Sequence, residues 1–340
     1  MTEPSTSRAP TIYDVAVVAG VSHQTVSRFI KGHRVGDKSR SRVELAIAEL
    51  GFQPSSAARA LATRRSLRIG ALTYEMDQLG PITVLTGASA AARAAGYVLD
   101  IVSLDPFDPE SVNEAIGLIN QRDLAGILAF APNDTVRSRL EEADFRVPVY
   151  FENATDEHVD IDNPNLNLRA GILAAEHLLE LGHRDIAHLA GPEDWSAARL
   201  RTRGFTETLA RVGHSPSFVR SGHWSAQFGF DGAQEMLRLA PQTTALFASN
   251  DQMAIGAISA ITEAGLRIPE DISIIGIDGT PESPFTVPSL TTIPMYFAEQ
   301  GQHSFDALLA QIDADKVQTH PQPTDTQVIA RNSSGPVRAS

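Results

Sequence analysis

The sequence predicts an all-α helix-turn-helix headpiece followed by a larger α/β domain with two lobes. Three observations support this: three short helical stripes near the N-terminus, two later series of apolar strands alternating with helices, and an uneven charge. Residues 1–68 hold eleven Lys/Arg and five Asp/Glu, a net charge of +6, which leaves −19 for the rest of a chain whose formal total is −13. Such asymmetry indicates a nucleic-acid-binding head on an acidic body.

A chain of 340 residues predicts two or three units. No apolar run reaches the roughly 18 residues that a membrane span needs. Residues 1–10 lack the apolar core of a signal peptide and are expected to form a disordered tail. The chain has no cysteine, which excludes disulfides, thiol catalysis and Cys-ligated metals. We therefore expect a cytoplasmic protein with no membrane partner.

Residues 11–52 are expected to form a three-helix DNA-binding domain. Thr11 is placed to cap the first helix, with Asp14 three residues on to return a bond to the cap. Gly20 ends that helix, and Ser22 is placed to cap the second. Apolar residues at helical spacing, joined by a short Ala-Gly-Val turn, are typical of a helix-turn-helix. A three-helix module that docks onto a protein is the alternative for this pattern.

The second helix is the expected DNA reader. Its exposed N-terminal part carries His23, Gln24 and, one turn on, Arg28. Glutamine pairs bidentately with adenine and arginine with guanine in the major groove. Other polar residues of the region suit DNA phosphates, which position a protein without specifying sequence. These backbone-contacting residues are Ser22, Thr25, Ser27, Lys31, His33 and Arg34.

The segment IYDVAVVAGVSHQTVSRFI resembles the headpiece of the LacI/GalR family of bacterial transcription regulators. The similarity continues through GHRDIAHLAGP, ASNDQMAIGA and ITEAGLRIPEDISIIGID and so covers most of the chain. It implies a periplasmic-binding-protein-like body, a homodimer, a pseudo-palindromic double-stranded operator and control by a small effector. A family member carries tyrosine where this chain has His23, which predicts a related but altered operator half-site.

Residues 53–66, QPSSAARALATRRS, predict a hinge helix and linker. A helix this short is marginal in water without a partner, because nucleation is costly. The resemblance implies that it folds when two copies pack together on DNA, with Ala58 and Leu61 at the minor groove. Leu61 would act as an apolar wedge that unstacks a base step. A plain alanine-rich linker is the alternative.

Residues 67–335 predict the two-lobed effector-binding and dimerisation domain. The first series of strands is LRIGALTY, YVLDIVS, AGILAFA and VPVYF, and the second is DIAHLAG, SFVRS, ALFASN and ISIIGID. Such strands, apolar throughout and alternating with helices, indicate parallel sheets covered on both faces. The family has three crossovers, which implies an N-lobe of about 67–164 plus 294–324 and a C-lobe of about 165–293 plus 325–335.

The cleft between the lobes is the expected effector site, because ligands bind beyond the carboxyl ends of parallel strands. Trp224 would be the platform for a pyranose ring, while Arg201, Asn250 and Asp278 would fix its hydroxyls, and all four match family effector positions. Caps or core packing are the alternative roles for these four residues. The resemblance adds three further contacts at Phe130, Asn153 and Phe297.

Phe130 and Asn153 differ from the residues of a family member, and Gln78 and Gln300 stand where it has apolar contacts. A β-galactoside or a related glycoside remains the expected ligand.

The sequence thus predicts a repressor of a sugar-utilisation operon that a small sugar releases from its operator. No phosphate loop or nucleophile, base and oxyanion arrangement occurs, so we expect no catalytic residue, metal, cofactor or enzyme activity. No apolar heptads follow Ile329, which predicts a dimer. Two alternatives remain open: a regulator of the same fold with a non-sugar effector or corepressor, and a sugar-modifying enzyme with an incidental basic head.

Overall fold

The computed structural model describes residues 10–30, 34–52, 66–76, 78–152, 164–313, 315, 317 and 319–338. The chain divides into two compact units, Met1–Leu67 and Arg68–Ser340. Five predicted site residues lie outside the described residues: Lys31, His33, Ala58, Leu61 and Asn153. Within the described ranges, no helix has the length and apolar character that crossing a membrane requires.

The described part of the first unit contains three helices: α1 (Ile12–Ala19), α2 (His23–Ile30) and α3 (Asp37–Leu50). The predicted capping box opens α1, since the hydroxyl of Thr11 accepts the Asp14 N–H at 3.4 Å and the Asp14 carboxylate accepts the Thr11 N–H at 2.7 Å. Gly20 ends α1 with a φ of 59°, in the left-handed region that favours glycine. One small core holds the three helices together: Val15, Ala16, Ala19, Val26, Val43, Ala46 and Phe52.

The second unit begins with an N-terminal lobe in which strands alternate with helices. Its elements are β1 (Arg68–Tyr74), α4 (Leu79–Ala94), β2 (Val98–Leu104), α5 (Pro109–Asn120), β3 (Gly126–Ala129), α6 (Asp134–Glu142) and β4 (Val149–Phe151). The four strands form a parallel sheet in the order β2-β1-β3-β4.

The C-terminal lobe repeats this alternation. Its elements are α7 (Leu166–Glu180), β5 (Ile186–Ala190), α8 (Ser196–Arg211), β6 (Phe218–Ser221), α9 (Ala226–Leu239), β7 (Ala245–Ala248), α10 (Asp251–Glu263), β8 (Ser273–Asp278), a short 3-10 helix (Ser283–Phe285) and β9 (Thr291–Pro294). The five strands are parallel, in the order β6-β5-β7-β8-β9.

The chain passes between the lobes more than once. After β9 at the edge of the C-terminal sheet, α11 (Phe297–Ile312) packs against α4, β3 and β4 of the N-terminal lobe. The chain then returns, and Ile329 forms an antiparallel bridge with Thr292 of β9. The predicted class, a helical headpiece with two parallel α/β lobes, is confirmed by this architecture.

Three helix pairs approach each other closely through glycines. Each pair, α4 with α11, α7 with α8 and α9 with α10, has a glycine on both helices at its contact: Gly87 and Gly301, Gly171 and Gly204, Gly229 and Gly256. A Cβ atom at any of these positions would collide with the main chain of the facing helix, for example with the Ala298 carbonyl oxygen at Gly87. These glycines therefore set the helix spacing.

We predict that Gly87→Ala lowers the free energy of unfolding by about 1–3 kcal/mol, because overpacking forces the α4 and α11 backbones apart. The matched control is Gly117→Ala on α5, where a Cβ atom meets nothing within 4 Å. There the better helix propensity of alanine should raise stability by about 0.5–1 kcal/mol. Urea unfolding followed by circular dichroism measures both changes, and equal effects of the two substitutions would contradict the packing argument.

Candidate functional sites

The start of α2 forms an exposed polar surface on the first unit. His23, Gln24 and Arg28 are exposed, and Gln24 and Arg28 lie four residues apart on one side of the helix. The His23 ring lies against Tyr13 of α1, with ring centroids 5.3 Å apart. Arg28 donates from Nη2 to the Arg34 carbonyl at 3.4 Å. The three predicted base-reading side chains thus share one short helix and are available to a partner.

The predicted phosphate-contacting residues of the described headpiece lie around the same helix. Ser22 and Arg34 are exposed, and Thr25 and Ser27 are partly exposed. The hydroxyl of Ser22 accepts the Thr25 N–H at 3.2 Å and lies 2.9 Å from the Thr25 hydroxyl. Unpaired N–H groups and the positive end of the dipole make a helix N-terminus favourable for an anion. This end of α2 is therefore suited to a DNA phosphate.

In the second unit, a cavity of about 1060 Å³, part of it open to solvent, lies between the two lobes at the carboxyl ends of their strands. Six of the seven predicted effector residues line it, as do Gln78 and Gln300. The six are Phe130, Arg201, Trp224, Asn250, Asp278 and Phe297.

Arg201 holds the centre of this cavity. Its side chain is buried in α8, with Nε donating to the Asn167 amide oxygen at 2.9 Å and Nη1 donating to the Ser249 carbonyl at 2.5 Å. Nη1 also lies 3.5 Å from Oδ1 of Asp278. The guanidinium sits 5.5 Å from the centroid of the Trp224 ring, a cation–π contact. These partners fix the guanidinium before any ligand arrives.

Asp278, the last residue of β8, faces Arg201. Burial raises the pKa of this carboxyl to about 8, although the Arg201 guanidinium opposes the rise. Its φ of 123° is in the left-handed region, as is the 38° of Glu75, which lines the same cavity. Unfavourable backbone conformations of this kind concentrate at ligand-binding and active sites.

Asp251, the first residue of α10, anchors the loop that follows Asp278. The buried Asp251 carboxylate accepts the Thr280 N–H at 2.9 Å, the Ser283 hydroxyl at 2.7 Å and the Thr292 hydroxyl at 2.5 Å. Burial raises the pKa of Asp251, and these hydrogen bonds oppose the rise. The network joins α10, β9 and the loop after β8, so it positions Asp278 at the cavity.

Asn250 and Trp224 are linked to each other. The amide oxygen of Asn250 caps α10 by accepting the Met253 N–H at 2.8 Å, and its amide nitrogen donates to the Trp224 carbonyl at 2.8 Å. An amide has two N–H donors and two acceptor lone pairs, so one of each remains for a ligand. Asn250 is thus a helix cap, which was one of the alternative roles expected from the sequence. It is also a residue of the cavity wall.

The cavity residues that were not assigned from the sequence include Tyr74, Glu152 and Trp195. Tyr74 ends β1 and Glu152 directly follows β4, so their positions at strand ends were the available signal. Trp195 precedes α8. Its ring centroid lies 5.3 Å from that of Tyr74 and 5.8 Å from that of Trp224, so the three rings form an aromatic wall. The wall therefore includes side chains of both lobes.

Buried polar atoms without a hydrogen-bond partner in the described part of the chain occur at this cavity. They include Oγ1 of Thr73, Nε1 of Trp195, Nε1 of Trp224 and Oδ1 of Asp278. Leaving such a group unpaired costs about 1–3 kcal/mol. Donors and acceptors collected beside aromatic rings fit a ligand that has hydroxyl groups around an apolar ring face.

Directional contacts join the lobes at the rim of the cavity. Asn133, before α6, forms an antiparallel bridge with Trp195, and its amide nitrogen donates to the Asp194 carboxylate at 3.0 Å. Nη2 of Arg199 lies 3.1 Å from the Asp134 carboxylate. The start of α6 is thereby tied to the start of α8, so a ligand in the cavity touches two bodies that already contact each other.

Comparison with known proteins supplies the family. Residues 11–55 match the model of bacterial regulatory proteins of the lacI family, and residues 175–334 match a periplasmic binding protein-like domain. The chain is 38% identical to the lactose operon repressor of Escherichia coli K12 over 88% of this chain and 84% of that protein. It is 33% identical to the HTH-type transcriptional repressor PurR of Haemophilus influenzae over 89% of this chain and 91% of that one.

Solved structures agree in fold. The lac repressor dimer bound to operator and the anti-inducer ONPF superposes with a TM-score of 0.83 at 34% identity, over 96% of this chain and all of that one. A CelR–cellobiose complex gives a TM-score of 0.69 at 26% identity, again over 96% of this chain and all of that one. With its headpiece, its two lobes and these relatives, which are transcriptional regulators and not enzymes, the chain belongs to the lacI family of bacterial regulatory proteins.

Proposed function

We propose that this protein is a homodimeric repressor of a sugar-utilisation operon, released from its operator by a small sugar. The observation that carries the proposal is the cavity between the lobes, where Arg201 and Asp278 face each other beside the Trp224 ring. The proposed ligand is a β-galactoside or a related glycoside. Since its target is operator DNA, the protein would act in the cytoplasm.

The shape and chemistry of the cavity support a sugar. A pyranose has apolar C–H faces, which suit the Trp224 ring, and an edge of hydroxyls that both donate and accept hydrogen bonds. Arg201 supplies donors at fixed positions, and the Asp278 carboxylate, 3.5 Å from Nη1 of Arg201, supplies acceptors. Solved relatives include a lac repressor bound to ONPG and the CelR–cellobiose complex, which supports the same ligand class.

The headpiece supports specific DNA binding. His23, Gln24 and Arg28 are the proposed base-reading residues, while Ser22, Thr25, Ser27 and Arg34 contact phosphates. Two headpieces in a symmetric dimer would read a pseudo-palindromic operator. The lac repressor dimer on its operator, to which this chain is similar, supports that assembly.

Release follows from differential ligand binding to two arrangements of the lobes. A sugar that contacts both walls of the cavity favours one arrangement, and the proposed dimer transmits the shift to the two headpieces. Allosteric coupling of this kind is typically about 1–3 kcal/mol, and operator must weaken sugar binding by the same factor. A ligand that tightened operator binding instead would make the protein a corepressed regulator.

The exposed apolar residues Phe285 and Val287 support a dimer surface in the second unit. They are 82% and 88% exposed, and lie at and just beyond the short 3-10 helix that follows the loop after β8. Exposed apolar patches commonly mark interaction sites. The proposed occupant is a second copy of the chain.

We predict that Gln24→Ala weakens operator binding by about 1–3 kcal/mol and relaxes preference at one base pair, because a bidentate base contact is lost. Arg34→Ala is the matched control for a phosphate contact. This substitution should weaken binding to the operator and to a random duplex alike. It should also reduce the slope of log K against log salt by about 1. Fluorescence anisotropy at several salt concentrations separates the two, and an equal loss on both duplexes with Gln24→Ala would contradict the reading role.

We predict that a glycoside changes the tryptophan fluorescence saturably and that Trp224→Phe weakens its binding roughly 3- to 10-fold, in line with the ~0.5–1.5 kcal/mol of an aromatic contact. Trp195 and Trp224 are the two tryptophans of the chain, so the substitution also assigns the signal. Galactosides, glucosides, pentoses and purines form the titration panel. If no sugar changes the fluorescence and a purine does, the sugar assignment is wrong and a purine takes its place.

We predict that Phe285→Asp raises the dimer dissociation constant tenfold or more, because burying an unpaired charge costs more than the ~1.4 kcal/mol that corresponds to a factor of ten. Val212→Asp, at an exposed apolar position that follows α8, is the control and should leave the dimer intact. Sedimentation velocity measures both. A dimer unaffected by Phe285→Asp would place the interface elsewhere.

A further inference from the structure

The charges around the cavity are unbalanced. Among the described residues that line it, Glu75, Glu152 and Asp278 are acidic and Arg201 is the only cation. Arg201 already forms an ion pair with Asp278, in which Nη1 and Oδ1 are 3.5 Å apart. The N-terminal-lobe side of the cavity includes Glu152, which this cation does not pair with.

Glu152 is a buried acidic group that faces no cation among the described residues. It directly follows β4, and its backbone N–H donates to the Ala129 carbonyl at 3.0 Å. Its carboxylate accepts the hydroxyl of Ser304 on α11 at 2.6 Å. Burial raises the pKa of Glu152 to about 7, and the Ser304 hydrogen bond opposes the rise but no cation of the described chain does. A buried carboxylate in this state gains strongly from a cation placed beside it.

The titratable groups around Glu152 leave that position open to a ligand cation. Tyr74 on β1 and Tyr150 on β4 both have pKa values raised by burial first and by the negative charge of Glu152 second. On α11, the Asp306 carboxylate pairs with His320 at 2.6 Å, and His303 bonds the His320 carbonyl at 3.0 Å. His303 and His320 therefore have other partners, and neither contributes to the pKa of Glu152.

Two features of the cavity wall suit a polar ligand, and the second also suits a cationic group. Nε1 of Trp195 and Nε1 of Trp224, in side chains more than nine-tenths buried, have no hydrogen-bond partner in the described chain, so the wall is built to meet a polar ligand. The rings of Tyr74, Trp195 and Trp224 also follow one another around it. Aromatic faces attract cations, and the attraction grows when water is excluded.

We propose that the ligand carries a protonated amino group which pairs with Glu152, so that the effector is an amino sugar or an aminated glycoside. The inference rests on the proposed function, since the ring of the sugar would still be held by Trp224, Arg201 and Asp278. The ammonium would donate to the Glu152 carboxylate on the N-terminal-lobe side while the hydroxyls meet the C-terminal-lobe side. A single ligand would thereby connect both lobes by charge as well as by hydrogen bonds.

The test is isothermal titration calorimetry at pH 7 with methyl β-galactoside and its 2-amino-2-deoxy and 6-amino-6-deoxy analogues. At least one amine should bind roughly tenfold tighter than the neutral parent, the gain expected of hydrogen bonds to charged groups. Repeating the titration in buffers of different ionisation enthalpy measures the number of protons that are released or taken up on binding. Because Glu152 is partly protonated near pH 7, binding an ammonium should release a proton, whereas the neutral parent should not.

In Glu152→Gln the ratio of amine affinity to parent affinity should fall to about one, and the proton release should disappear. Glu299→Gln, an equal charge change at an exposed position of α11, is the matched control and should keep both. If the parent binds and neither amine binds tighter, this inference is overturned while the glycoside proposal stands. If the parent and both amines all fail to bind, both proposals fail together.

Discussion

The cavity between the lobes of the second unit is organised around a buried guanidinium. Burial lowers the pKa of Arg201, and the negative charge of Asp278 is the largest influence that opposes the fall. Taking an arginine out of water is tolerated only when its donors are met and its charge is balanced, and removing one partner of such a pair typically costs about 3–5 kcal/mol. Asn167, the Ser249 carbonyl and Asp278 meet those needs, and each comes from a different segment of the C-terminal lobe.

Because Arg201 requires these partners, the surrounding elements must meet at fixed distances. The Asp251 network ties the loop after β8 to α10 and β9, which sets where Asp278 stands. Gly171 and Gly204 let α7 and α8 approach closely, and the Arg201 carbonyl is itself one of the atoms that a Cβ at Gly171 would strike. The glycine contacts and the polar network are thus parts of one arrangement, and a preorganised site loses little free energy to ordering when a ligand binds.

The same arrangement explains how a ligand could act at a distance. Trp195 takes part in the aromatic wall and in the bridge to Asn133, so the cavity and the contact between the lobes share a residue. A ligand that reorients this wall alters the contact between the lobes. Any signal to the headpiece would then begin as a change in which lobe arrangement is populated, in accord with ordinary two-state coupling.

Much of the fold and of the candidate site could be predicted from the sequence. The parts that could not be predicted share one physical cause. Apolar runs identified the eight strands of the two predicted series, because a buried parallel strand is apolar on both faces. The ends of those strands supplied Asn250 and Asp278 as cavity residues, and the family resemblance added Phe130. Glu152 was missed, because a strand end fixes position along the chain and not the direction in which each side chain points. The Asp251 network was also invisible, since it joins residues 29 to 41 positions apart.

Operator affinity measured with and without a saturating glycoside, on the unmodified chain at one salt concentration, tests the central claim most directly. We expect the sugar to weaken operator binding about 5- to 150-fold, the range of typical allosteric coupling. We also expect operator to weaken sugar binding by the same factor. An operator affinity that the bound sugar leaves unchanged, or increases, would contradict the account.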